Sequence, residues 1–102
     1  MSIKNQYGRA SLEKKLGAMT LAAFLASWRE SLEMTQAAFA KKLGISATNL
    51  CDIEKGRQLV SPKKAAEIAK KIGYSEAVLV ELVINEQLAA DGLKMRVKAE
   101  VA

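Results

Sequence analysis

The stretch Thr35–Gly56, TQAAFAKKLGISATNLCDIEKG, decides the fold. It reads as two short helices joined by a tight turn. The Thr35 hydroxyl is placed to accept one of the orphan N–H groups that open the first helix. Phe39, Ala40 and Leu43 give that helix a buried side. Gly44 permits the positive φ that a sharp inter-helix turn requires. Ile45 pins the turn from beneath, and Ser46 caps a second helix running to about Lys55 and closed by Gly56. Leu50 and Ile53, three apart, form its buried stripe.

Working outward, Leu21, Phe24, Leu25, Trp28 and Leu32 follow the i, i+3, i+4 spacing of one buried helix face, which predicts a scaffold helix over 20–32. Trp28 sits on that stripe and reads as core. Ser61-Pro62 opens a fourth helix, serine at the cap and proline where its missing N–H does no harm. Ala65, Ile68, Ala69 and Ile72 face the core, and the helix ends at Gly73. Ser75 caps a fifth helix to about Asp91. Its run AVLVELVI is apolar around most of its circumference, which predicts packing on two sides, the second against another subunit. In the tail, Leu93, Met95, Val97, Ala99 and Val101 alternate with Lys94, Arg96, Lys98 and Glu100, the pattern of a half-buried strand. A lone strand needs a partner, so the expectation is pairing with a twofold mate or addition to a partner's sheet.

The central motif resembles the helix-turn-helix of the Xre/Cro/lambda-repressor-like family. The matching residues are Gln36 opening the first helix, Ala40 at the close helix contact, Gly44 in the turn, and Leu50 and Ile53 as core. The likeness covers roughly residues 21–74. It implies an all-α, five-helix lambda-repressor-like DNA-binding domain, here with a C-terminal β-strand pairing across a dimer. The expected division is a flexible arm over 1–19, the helix-turn-helix domain over 20–92 and a dimerisation strand over 93–102. It also implies that Arg29 pairs with Glu54, late in the second motif helix. The helical wheel agrees, since Glu54 falls at the boundary of the Leu50/Ile53 stripe.

On the same wheel Thr48 and Lys55 point outward, with Cys51 and Asp52 beside them and Ala47 at the edge. Such a helix enters the major groove by its N-terminal turn. Thr48 can bond a base or meet a thymine methyl, Ala47 offers apolar contact, Cys51 can touch a thymine methyl, and Asp52 can accept from cytosine N4. Gln36 resembles the family's phosphate-contacting glutamine. Ser46 and Asn49 lie where helix N–H groups favour anions, and Lys55, Arg57 and Gln58 follow the helix to grip backbone. The commoner family members carry a long polar residue where Ala47 and Thr48 stand, so their base code does not transfer.

Composition supports this reading. The chain has 102 residues, half of them apolar, with one proline and a net charge of +5. Between residues 34 and 74 the cations are Lys41, Lys42, Lys55, Arg57, Lys63, Lys64, Lys70 and Lys71, against Asp52, Glu54 and Glu67. Residues 75–92 carry only Glu76, Glu81, Glu86 and Asp91. A basic motif and an acidic far helix orient such a domain on DNA, while Lys70 and Lys71 are also explained as solvated charge. The polar 1–10 segment with Lys4 and Arg9, followed by a short helix carrying Leu12 and Leu16, reads as an arm for the minor groove or for a partner. No apolar run spans a membrane, and a cytoplasmic compartment is expected.

With no histidine, a single cysteine and no glycine-rich phosphate loop, the sequence offers no catalytic, metal or cofactor constellation. Two functions fit. The first is a dimeric transcriptional regulator, most simply a repressor. The second is an antitoxin that neutralises a toxin protein and represses its own operon.

Overall fold

The computed structural model describes residues 19–100 and 102. Among the described residues five helices follow one another: α1 Leu21–Ser31, α2 Gln36–Leu43, α3 Ala47–Glu54, α4 Pro62–Ile72 and α5 Glu76–Ala90. Every one begins at a hydroxyl residue whose side chain accepts an N–H three positions on: Thr20 from Ala23, Thr35 from Ala38, Ser46 from Asn49, Ser61 from Lys64 and Ser75 from Val78. Each cap satisfies a donor the helix itself cannot, and is worth about 1 kcal/mol.

The core is one cluster. Leu21, Phe24 and Leu25 of α1 meet Phe39, Ala40 and Leu43 of α2, Leu50 and Ile53 of α3, Ala65, Ile68, Ala69 and Ile72 of α4, and Leu79, Leu82 and Val83 of α5. Ala40 is fully buried where α2 and α3 cross, which explains the need for a small side chain there. Two expected core residues behave differently. Trp28 is half-buried, stacked on Phe24 with ring centroids 5.7 Å apart and edge-on to Tyr74 at 5.4 Å. Leu32 is exposed, because α1 ends before it and the chain turns away.

Met19, at the end of the expected arm, packs against the core. The remainder of the arm, with Leu12 and Leu16, lies outside the described residues.

The C-terminal strand is not found. Residues 93–100 form no regular element. No neighbouring strand exists among the described residues to complete a ladder. Side chains of α5 take its place: Asn85 Oδ1 accepts from Val97 N at 2.8 Å, Asn85 Nδ2 donates to Val97 O at 3.1 Å, and Glu81 Oε1 accepts from Ala99 N at 2.9 Å. Asn85 thus mimics a peptide unit, holding the tail antiparallel to its own helix. Part of the second side of α5 is met by the chain's own tail, while Val80 and Ile84 pack on the core.

Candidate nucleic-acid interface

The motif is held in shape by one carboxylate. Glu54, at the end of α3, accepts from Arg29 Nε at 2.9 Å and Nη2 at 3.1 Å, and from Gln36 Nε2 at 3.0 Å. Arg29 Nη1 reaches on to Met34 O at 3.0 Å. The end of α1, the turn after it, the start of α2 and the end of α3 therefore share one network. The Glu54 side chain is 5% exposed and that of Arg29 19%, so the pair is largely desolvated. The bond to Glu54 raises the Arg29 pKa further above its usual value, outweighing the opposing effect of burial. The expected Arg29–Glu54 pair is present. The involvement of Gln36 was not legible in the sequence. One of its amide N–H groups is committed to Glu54, and what remains for an anion is the second N–H and the free backbone N–H of the helix start.

The turn between α2 and α3 is built for α3 to stand clear. Gly44 adopts φ 74°, and an added Cβ there would lie 2.9 Å from Lys71 Nζ. That ammonium donates to Leu43 O at 2.8 Å, closing the carbonyl end of α2 from α4. Lys71 is thus a helix-terminus ligand as well as a surface charge.

On α3 itself Ala47 and Thr48 are exposed in the first turn, and Ser46 is exposed beside them. The Ser46 hydroxyl accepts from Asn49 N at 3.0 Å, which leaves its own proton to donate outward. Asn49 is half-buried, and its Oδ1 is enclosed with no hydrogen-bond partner among the described residues, so it faces inward more than expected. Cys51 and Asp52 are half-buried on the outward face, and Lys55 is exposed at the cap.

Arg57 does not trail away from the helix. Gly56 at φ 73° turns the chain, and the N–H groups of Arg57 and Gln58 both donate to Asp52 O, at 2.8 and 3.3 Å. The guanidinium then folds back on Asp52 Oδ1, with Nε at 3.0 Å and Nη2 at 2.9 Å, and Nη2 stands 3.9 Å from Cys51 Sγ. The sequence offers Cys51 and Asp52 as base contacts and Arg57 as a backbone grip; the structure brings the three together. A glycine four residues beyond a helical aspartate, followed by arginine, was the available signal.

Among the described residues no group of three or more Cys, Asp or Glu is placed to hold a metal ion, and no helix is long and apolar enough to cross a membrane. A family model described as Helix-turn-helix matches residues 25–79, from the middle of α1 into the first turn of α5. No curated protein and no solved structure matches the chain.

Proposed function

The chain belongs to the Xre/lambda-repressor-like helix-turn-helix family of DNA-binding regulators, and from that premise we propose that it represses transcription by occupying an operator as a homodimer. Recognition falls to α3, with Ala47, Thr48, Cys51 and Asp52 toward the major groove. Gln36, Ser46, Asn49, Lys55 and Arg57 serve the flanking backbone. The observation that carries the reading is the matched motif, within which the first turn of α3 is exposed and capped. Phosphate contacts supply most of the affinity of such a domain and base contacts its choice of sequence.

A homodimer sets two copies of α3 on successive major grooves, about 34 Å apart. Leu93, Met95 and Val97, exposed along the tail on α5, support a contact surface on that side of the molecule. The same exposed row favours the second reading, an antitoxin whose C-terminal segment engages a toxin protein while DNA binding regulates its own operon. The cytoplasm is the compartment that both readings require.

Titration of the purified protein with its own upstream DNA and with a scrambled duplex, over a salt series, tests the proposal. Saturable preference for the upstream site is expected. Equal and steeply salt-dependent binding to both would reduce the reading to phosphate attraction, and no binding would end it. Sedimentation of the chain lacking residues 93–102 separates the surfaces: loss of the dimer assigns the tail to self-association. A truncated chain that remains a dimer and no longer binds a co-encoded toxin supports the second reading.

A further inference from the structure

We infer that Asp52 is a positioning residue, holding the Arg57 guanidinium over the outward face of α3 and aiming it at a guanine edge. The inference rests on the DNA-binding reading above and changes the roles of both residues within it. Arg57 becomes a base reader instead of a backbone grip. Asp52 acts through Arg57 instead of reading cytosine.

Three observations lead there. The backbone reversal at Gly56, fixed by two N–H bonds to Asp52 O, returns Arg57 to the last turn of α3. The guanidinium lies against Cys51 and Asp52, which occupy the outward stripe one turn beyond Thr48. The Arg57 side chain is nevertheless 59% exposed, so its remaining N–H groups face solvent where DNA would lie.

The chemistry selects a base over a phosphate. Beside a carboxylate the pair carries little net charge, whereas attraction to phosphate depends on net charge and would be weakened by Asp52. Guanine O6 and N7 are neutral acceptors, and what they demand is a planar donor fork held in a fixed direction. Asp52 Oδ1 accepts from Nε and stands 2.9 Å from Nη2, which also reaches Cys51 Sγ at 3.9 Å, so the Nη1 N–H groups, with the Nη2 proton held only by the weak sulfur contact, supply that fork.

The test begins with a duplex selected by the wild-type chain from a random pool, each base pair then being replaced in turn. Dissociation constants are measured over a salt series for Arg57→Ala, Arg57→Lys, Asp52→Ala, Asp52→Asn and the double alanine variant. Arg57→Ala should lose about tenfold discrimination at one G·C pair with the salt slope unchanged. Asp52→Ala should lose discrimination at that same pair, and the double variant should be no worse than Arg57→Ala. Asp52→Asn keeps an acceptor for the guanidinium and should restore part of the loss, while Arg57→Lys should restore none. Matching thermal melts show that the fold is not the cause.

A uniform loss over all sequences in Arg57→Ala, with a salt slope shallower by about 0.9, would make Arg57 a phosphate contact and overturn the inference. So would an Asp52→Ala effect at a different base pair, an additive double variant, or no effect of Asp52→Ala. In each case the wild-type preference, and the DNA-binding reading, would stand. A wild-type chain that selects no sequence would remove that reading and the inference together.

Discussion

Two carboxylates two residues apart on α3 meet two arginines, and they do opposite work. Glu54 is 5% exposed and takes three donors from α1 and α2. Asp52 is 35% exposed and takes one guanidinium from its own chain five residues on. The first pair closes a network between three helices. The second leaves the fold untouched and shapes a surface. Partner type and distance are nearly the same, so the difference lies in solvent: desolvation makes a broken pair expensive, while water and salt replace an exposed partner at little loss.

The largest test of that contrast is Glu54→Ala. It strands the Arg29 guanidinium and the Gln36 amide in a largely dry site, and should destabilise the domain by about 3 kcal/mol, read from urea denaturation. Glu54→Gln keeps an oxygen acceptor for one donor and should lose less. An alanine variant within about 0.5 kcal/mol of wild type, the range of ordinary surface changes, would mean that water reaches Arg29 and the contrast is false. The wild-type pair should also be insensitive to salt between low and moderate ionic strength, since buried pairs are weakly screened.

Next in size is Lys71, a cation meeting a backbone carbonyl instead of a carboxylate. Lys71→Ala removes the donor to Leu43 O and the charge at the end of α2, and should cost about 1 kcal/mol in the same measurement. No loss would return Lys71 to the solvated surface.

Glu86 is a carboxylate with an N–H for company. It accepts from Leu21 N at 2.8 Å, beside an apolar cleft that includes Met19, Ile53 and Leu59. Burial raises its pKa, and the Leu21 bond only partly offsets this. A carboxyl with a raised pKa in the fold favours folding while protonated. Its contribution is complete below the unfolded carboxylate pKa and is lost as pH rises through the folded one. Glu86→Gln keeps an acceptor for Leu21 N and removes the titration. Its melting temperature should therefore exceed wild type at neutral pH and converge with it in acid. A gap independent of pH would mean that Glu86 is not desolvated.

The scaffold was legible because its signals are local. Serine or threonine at helix starts, glycine in the turn and apolar residues at three- and four-residue spacing act within a few positions. Thr35, Ser46, Ser61 and Ser75 accordingly cap the helices they were expected to cap. The Arg29–Glu54 pair was legible through family likeness, spanning 25 positions that no local pattern connects. The Gln36–Glu54 bond was not legible because it depends on how α2 and α3 cross. The tail was misread for a related reason. Alternation describes an extended chain correctly but is silent on what hydrogen-bonds it, and here Asn85 and Glu81 do so from a helix. On α3, Thr48 was placed outward by the wheel alone, and it is exposed. Arg57 was not, because a wheel ends where the helix ends.

The smallest expected effect is the sharpest check on the comparison. Asp52→Ala and Arg57→Ala should each alter stability by no more than about 0.5 kcal/mol, since both partners are open to water. Their double-mutant coupling in urea denaturation should be similarly small and should vanish in 1 M salt, where the screening length is about 3 Å. A coupling above about 1 kcal/mol that survives salt would place the pair with Arg29–Glu54 as a fold element. Any change in DNA preference would then be a by-product of a disturbed helix end, whereas weak coupling agrees with the recognition role proposed for Arg57.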